Sequence, residues 1–281
     1  MSADMLATEG ETPFPEADTV TIDGLSVSLY GRPAGIPIVL SPGLGGHGAY
    51  WRPQVKALAN RYRVILYDHR GTGASDRADL PEAYNASHLA ADIAAILDGL
   101  DYEAAHIVGH AAGAVAGLQL ALDAPHRVLS VAAINGWAVA EAHFKRCFEI
   151  RTAIYRSGGP EAYLKAQPLF LFPAEWIADH LEDLDAQAAH HAEGFQSEAT
   201  LMARIRALSD FDIRERLGDI TCPVLVMGSL DDMLVPVRAS AHLAEGLPNA
   251  QFVAVPWGGH AVNITVPEEF DRYLLTFLRE L

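Results

Sequence analysis

The sequence predicts an α/β fold: a mostly parallel central sheet flanked by helices, with one helical insertion. Three observations carry this. Short apolar runs of the buried-strand kind alternate with helical stretches from Pro37 to Ile134, the pattern of right-handed crossovers that build a parallel sheet. The alternation stops over about 138–217, where only helical patterning rich in Ala, Leu, Glu and Gln is found, and resumes at Pro223. Three loops that follow predicted strands carry, in chain order, a small-residue turn, a pair of aspartates and a glycine-histidine turn. Such loops converge at the carboxyl ends of parallel strands.

Taken in order, Thr19–Ile22 and Leu25–Tyr30 alternate as two strands joined at Gly24, a hairpin. Pro37–Leu40 is a continuous apolar run that empties into Ser41-Pro42-Gly43-Leu44-Gly45-Gly46-His47-Gly48. That glycine density frees backbone N–H groups to point at a ligand. A helix near Tyr50–Asn60, the strand Tyr62–Tyr67, a helix from about Ser87 to Leu100 and the strand Ala105–Val108 lead to Gly109-His110-Ala111-Ala112-Gly113. A helix over Ala112–Leu122 ends before Pro125, and Val128–Ile134 is the next strand. Within the insertion, Gly158-Gly159-Pro160 and Phe172-Pro173 are breaks. The strands Pro223–Gly228 and Gln251–Val255 and the helices Val237–Gly246 and Pro267–Leu281 complete the chain. The predicted organisation is an acidic leader over 1–18, a core over 19–137 and 218–281, and a helical cap over 138–217.

Composition limits the function. With 281 residues, half of them hydrophobic, the chain can bury a large core. A net charge of −16 with no long basic run repels nucleic acid and anionic lipid surfaces, so neither nucleic acid nor membrane is an expected partner. No apolar run reaches the length of a membrane span. Cys147 and Cys222 are far apart and read as free thiols in a reducing compartment. The leader has no basic n-region or apolar stretch of the signal-peptide kind, and a cytoplasmic protein is expected. His180, His190 and His191 make no zinc face, because adjacent helical residues point different ways. Neither a metal nor a cofactor is expected. The oligomeric state stays open, a homodimer included.

The turn at 109–113 has the form of a nucleophile elbow, G-x-S-x-G, in which small residues let a strand reverse into a helix and hold the central side chain exposed and strained. Here the centre is Ala111. A methyl group cannot attack a carbonyl, so the acyl-enzyme route is closed. The loops Gly228-Ser229-Leu230-Asp231-Asp232 and Gly258-Gly259-His260 follow later strands, giving the order elbow, acid, histidine of the α/β-hydrolase triad. His260 is the candidate general acid or base, since imidazole titrates near neutral pH. Its orienting carboxylate is Asp232 by counting back from Pro236 or forward from Pro223, or Asp231 by counting forward from Gly228; Asp232 is the choice. A glycine loop without G-K-[ST] argues against phosphate binding.

The chain resembles the α/β-hydrolases from about Thr19 onward. Gly43–Trp51, Tyr67–Gly73, Ile134-Asn135-Gly136-Trp137, Ala166–Pro173 and Gly258–Asn263 resemble the RutD family more closely, the segment within the cap being the most specific. That family is assigned to pyrimidine degradation as a carbamate or aminoacrylate hydrolase, and its elbow can carry alanine. The resemblance implies a native Ala111, a small-molecule substrate, and an anion hole made by the backbone N–H groups of Leu44 and Ala112. Trp51 and Trp137 are placed to wall a pocket or to fill the core. Arg146 and Arg151 are placed to hold an anionic substrate, with surface ion pairing the simpler expectation. Two alternatives stand beside this: a Ser-His-Asp esterase or lactonase whose nucleophile was replaced by Ala111, and a small-molecule binding protein without catalysis.

Overall fold

A computed structural model describes residues 17–281; the predicted leader lies almost wholly outside them, and Asp18 already belongs to the first strand. The hairpin is β1 (Asp18–Ile22) and β2 (Leu25–Gly31), antiparallel with Ile22 opposite Leu25. Its two-residue turn places both Asp23 (φ 47°) and Gly24 (φ 77°) at positive φ, the Asp-Gly geometry that matches the twist of paired strands.

The remaining strands are β3 (Ile36–Ser41), β4 (Tyr62–Tyr67), β5 (Ala105–His110), β6 (Val128–Ile134), β7 (Val224–Ser229) and β8 (Ala250–Val255), in the order β1-β2-β4-β3-β5-β6-β7-β8. All pairings from β4 to β8 are parallel. The central strands are apolar because both faces are covered. Helices α1 (Arg52–Ala59), α2 (Ala86–Gly99) and α3 (Ala112–Asp123) precede the insertion. One face of the sheet packs on α2 and α3, and the other on α1 and the last helix, which bury Val55, Leu58, Phe270, Leu274 and Phe277.

Between β6 and β7 the described chain holds no sheet strand. It forms α4 (Ala142–Ala166), α5 (Pro168–Leu171), α6 (Ala174–Asp179), α7 (Leu181–Glu193) and α8 (Glu198–Ser209). The breaks fall where the sequence put them. Gly159 takes φ 70° and ψ −165° just before Pro160 and divides α4 in two, and Phe172-Pro173 separates α5 from α6. After β7 come α9 (Val237–Gly246), α10 (Val262–Thr265) and α11 (Pro267–Arg279).

This insertion is fastened to the carboxyl ends of the strands at several points. His143 of α4 bonds the carbonyl of Met233 through Nε2 at 2.6 Å, and the amide of Ala261 donates to the Leu171 carbonyl at 3.0 Å. From α8, Arg204 Nη1 donates to the Leu44 carbonyl at 3.1 Å. From α7, His191 stacks on His47 with ring centroids 5.6 Å apart.

Candidate active site

The elbow is built by close backbone approach. A Cβ on Gly109 would overlap the Gly113 carbonyl, and one on Gly113 would overlap the carbonyl oxygen of Ser41. Only glycine lets β5 turn directly into α3 here. Between them Ala111 is forced to φ 49°, ψ −101°, a conformation costing on the order of 1–3 kcal/mol for a residue with a Cβ. Its amide donates to the Ile134 carbonyl at 2.9 Å, which ties the turn to the end of β6.

His260 follows Gly258 and Gly259, both at positive φ (139° and 65°). Its Nδ1 lies 2.7 Å from Asp232 Oδ2, and both side chains are buried. The other oxygen of Asp232 accepts from the amides of Leu234 (2.8 Å) and Val235 (2.9 Å). The carboxylate is therefore fixed on both oxygens, and it holds the imidazole with Nδ1 as the donor and Nε2 turned away from the acid. Asp231 has a different task. Its Oδ1 accepts from Ser229 Oγ at 2.6 Å and from the Gly259 amide at 2.9 Å, and Gly258 N lies 3.3 Å from Oδ2. It shapes the turn that delivers His260.

Two side chains without an assigned role in the sequence reading join histidine loop and elbow. The carbonyl of His260 accepts from His110 Nε2 at 2.8 Å and from Asn135 Nδ2 at 2.6 Å. His110 also lies against the His260 ring, centroids 4.6 Å apart, and stacks on Tyr50. Burial, and next the neighbouring His260, hold its pKa well below the ordinary imidazole value, so it is a neutral donor. Asn135, at φ 49°, occupies the left-handed region that asparagine tolerates; an Asn-Gly pair at a strand end was the available signal.

The amides of Leu44 and Ala112 donate to no acceptor among the described residues. Ala112 opens α3, so its N–H is one of the unmatched donors at a helix start. The carbonyl side of the glycine loop is pinned by Arg204 and by His69, whose Nε2 bonds the Pro42 carbonyl at 3.0 Å. Gly43 admits no Cβ, which would come within 2.8 Å of His110 Nδ1.

Other candidates stand apart. Trp51 is fully buried on the α1–α11 face, donating Nε1 to the Ser41 carbonyl at 3.0 Å and packing on Phe270, as a core residue does. Trp137 is buried against Phe144 at the base of α4. Arg146 lies at the surface, its side chain 73% exposed and paired with Glu149 one turn on, the simpler of the two arrangements expected for it. Arg151, one turn further along α4, points inward and is 4% exposed. The site is covered, with Ala111 at 7% and His260 at 2% exposure. Cavities of about 300 and 270 Å³ lie at the amino ends of β6 and β7 and beside β2, and touch neither residue.

Comparison with known proteins agrees with this fold. Residues 36–154 match the model of the alpha/beta hydrolase fold. A protein of Caulobacter vibrioides (strain NA1000 / CB15N) is 50% identical over 92% of this chain and 96% of its own, and one of Azorhizobium caulinodans is 46% identical over 88% and 93%; both bear the name "Putative carbamate hydrolase RutD". The chain belongs to the RutD family. Solved structures similar to this RutD-family chain include the enol-lactonase from Burkholderia xenovorans LB400 (TM-score 0.83, 25% identity, 93% of this chain and 100% of that one). A hydrolase from Pseudomonas aeruginosa PA01 is likewise similar (TM-score 0.82, 25% identity, 93% and 98%). The α/β-hydrolase fold read from the sequence is thus found in the sheet, in the family model and in these neighbours. Among the described residues no helix is long and apolar enough to cross a membrane.

Proposed function

We propose that this RutD-family hydrolase promotes breakdown of a small carbamate by proton transfer from His260, oriented by Asp232, without a covalent intermediate. The observation that carries the reading is the pairing of a buried, doubly anchored His260–Asp232 dyad with an elbow whose central residue is Ala111. The dyad can move a proton; the elbow cannot form an acyl-enzyme. The relatives' name supports the substrate class.

Carbamate suits that equipment. Its carbon already bears negative oxygens, so nucleophilic attack there is disfavoured. Protonation on nitrogen is the productive event: His260 in its imidazolium form gives a proton to the nitrogen, the C–N electron pair leaves with that nitrogen as ammonia, and carbon dioxide departs. The neutral imidazole then regains a proton from solvent. An aminoacrylate would use the same acid and base to reach an imine that water attacks. General acid catalysis contributes about 10²–10⁴-fold, a gain matched to a substrate that is unstable by itself. The segment 138–217 serves as a lid that keeps water from the dyad. Its fastenings to the glycine, aspartate and histidine loops support this.

The test is stopped-flow decay of freshly dissolved ammonium carbamate at constant ionic strength, with His260→Ala as the reference at each pH. The difference between the two proteins is expected to be positive and to shrink as pH rises, because the donor must be protonated. A difference that grows with pH would mean that His260 acts as a base. No difference at any pH would remove the carbamate reading.

A further inference from the structure

Arg151 is a buried cation that the fold leaves underused. Its side chain projects from α4 among Phe148, Tyr163 and Phe170, with the guanidinium carbon 5.0, 4.7 and 5.4 Å from the ring centroids. It makes one hydrogen bond, from Nη2 to the neutral amide oxygen of Gln167 at 3.1 Å. Its Nε is buried and unbonded, as is the hydroxyl of Tyr163 beside it. No carboxylate among the described residues pairs with it. The other deeply buried arginine of the lid, Arg204, spends its fork on the carbonyls of Leu44 and Arg70 and on Gln196. A guanidinium carries five donors in a plane that fits a carboxylate. Burying one against aromatic rings with no anion is unfavourable unless something else supplies the charge.

Two neighbours link Arg151 to the loops that carry the dyad. Cys147, one turn earlier on α4, has its sulfur 4.0 Å from the carbonyl of Met233, the residue after Asp232. Burial raises the Cys147 thiol pKa, with Arg151 opposing and Asp232 adding to the rise, so the thiol feels both charges. On the other side, Phe170 stacks at Arg151 while Leu171 takes the amide of Ala261, the neighbour of His260.

We infer that Arg151 is the anion-holding residue of this site, taking the carboxylate end of the substrate in its free donors while the nitrogen end faces His260. The assignment rests on the proposed carbamate reading for the identity of the anion, but the binding chemistry is that of any small planar carboxylate. A consequence separates it from a structural role. The charge on the carboxylate is lost as carbon dioxide forms, so an ion pair with Arg151 is stronger in the ground state than in the transition state. Removing it weakens binding without slowing the chemical step.

Acetate is the stable isostere of carbamate, and acetamide is its neutral counterpart. Thermal unfolding and calorimetric titration of the whole protein with each, at ionic strength matched with sodium chloride, test the site. Acetate is expected to bind and stabilise the protein, and acetamide is not. Arg151→Gln is expected to weaken acetate at least tenfold and raise the KM for carbamate by a similar factor with kcat not lowered but raised, since ground-state stabilisation is what is lost; Arg151→Lys, which keeps charge and stem, falls between. Equal effects of acetate and acetamide, or acetate binding indifferent to both substitutions, would overturn the assignment. Should neither variant fold, protection of Arg151 from phenylglyoxal by acetate but not by acetamide in the unsubstituted protein, located by peptide mapping, supports the assignment, and modification of Arg151 indifferent to acetate overturns it. Arg151-dependent acetate binding without faster carbamate decay would keep this site and remove the carbamate reading; faster decay with no such binding would do the reverse.

Discussion

Replacing Asp232 by asparagine separates the orienting role of the carboxylate from its structural one. In Asp232→Asn the amide oxygen can keep the bonds from Leu234 and Val235, while the NH₂ group meets His260 Nδ1, now 2.7 Å from Oδ2. Two donors cannot face each other, so the ring proton moves to Nε2 and the imidazolium loses its counter-charge. A charge-assisted bond of this kind is worth about 1.5–3 kcal/mol, or roughly 10- to 150-fold in the acid form. Misorientation of the ring adds to that, toward the upper limit of about 10⁴-fold for a positioned general acid. Stability should change by only about 1 kcal/mol, because both backbone donors stay satisfied. Asp232→Ala leaves the two amides buried and unpaired at about 1–3 kcal/mol each, so about 2–6 kcal/mol of folding stability should go as well. The assays are carbamate decay relative to His260→Ala, and urea unfolding. If Asp232→Asn keeps more than about a tenth of the catalysed rate, or Asp231→Asn costs more, the assignment of the orienting acid fails.

The protein as it stands is expected to resist labelling by a fluorophosphonate, and Ala111→Ser is expected to become labelled while gaining little carbamate turnover; a strong gain would reveal a covalent route. Gly113→Ala sets a methyl against the Ser41 carbonyl and is expected to cost about 3 kcal/mol or more, read as a lowered urea midpoint, and a tolerated alanine would contradict the tight crossing at the elbow. Burial holds His69 near a pKa of about 3 and His106 near about 4, and His110 well below the usual value. The unfolded chain takes up these protons below about pH 6.5 and the folded chain does not, so stability is fully present above that pH and is lost as pH falls, by up to about 1.4 kcal/mol per unit for each group. Urea midpoints unchanged between pH 7.5 and 5 would refute it.

Much of this was legible because the signals are local. Fully buried parallel strands must be apolar runs, and the turns at Gly24, Gly159-Pro160 and Phe172-Pro173 are dictated by backbone sterics within a few residues. The order of elbow, acid and histidine loops survives in the one-dimensional chain. What could not be read depends on contacts across long separations. Counting residues left Asp231 and Asp232 as alternatives, because their difference lies in which one meets a ring 28 residues on. Arg146 and Arg151 look alike in sequence; five positions on a helix turn one to solvent and the other inward. Trp51 was ambiguous for a similar reason, since its neighbour Phe270 comes from the last helix.

The elbow without a nucleophile still has a physical purpose, and its strain points to it. If only the side chain mattered, an alanine at the tip would leave nothing to justify φ 49° and ψ −101°. The same backbone conformation, however, sets the start of α3 and with it the amide of Ala112, and it aligns the turn with Ile134 and hence with Asn135, which holds the His260 carbonyl. Relaxing Ala111 would therefore move both the donor at the helix start and the loop that delivers the imidazole. In this family member the strained turn is a frame for its neighbours: it aligns Asn135, which holds the carbonyl of His260, and leaves the backbone donor at the start of α3 without an acceptor among the described residues. A chemistry that needs a proton and an electropositive seat, but no attacking atom, requires that frame and can dispense with the serine.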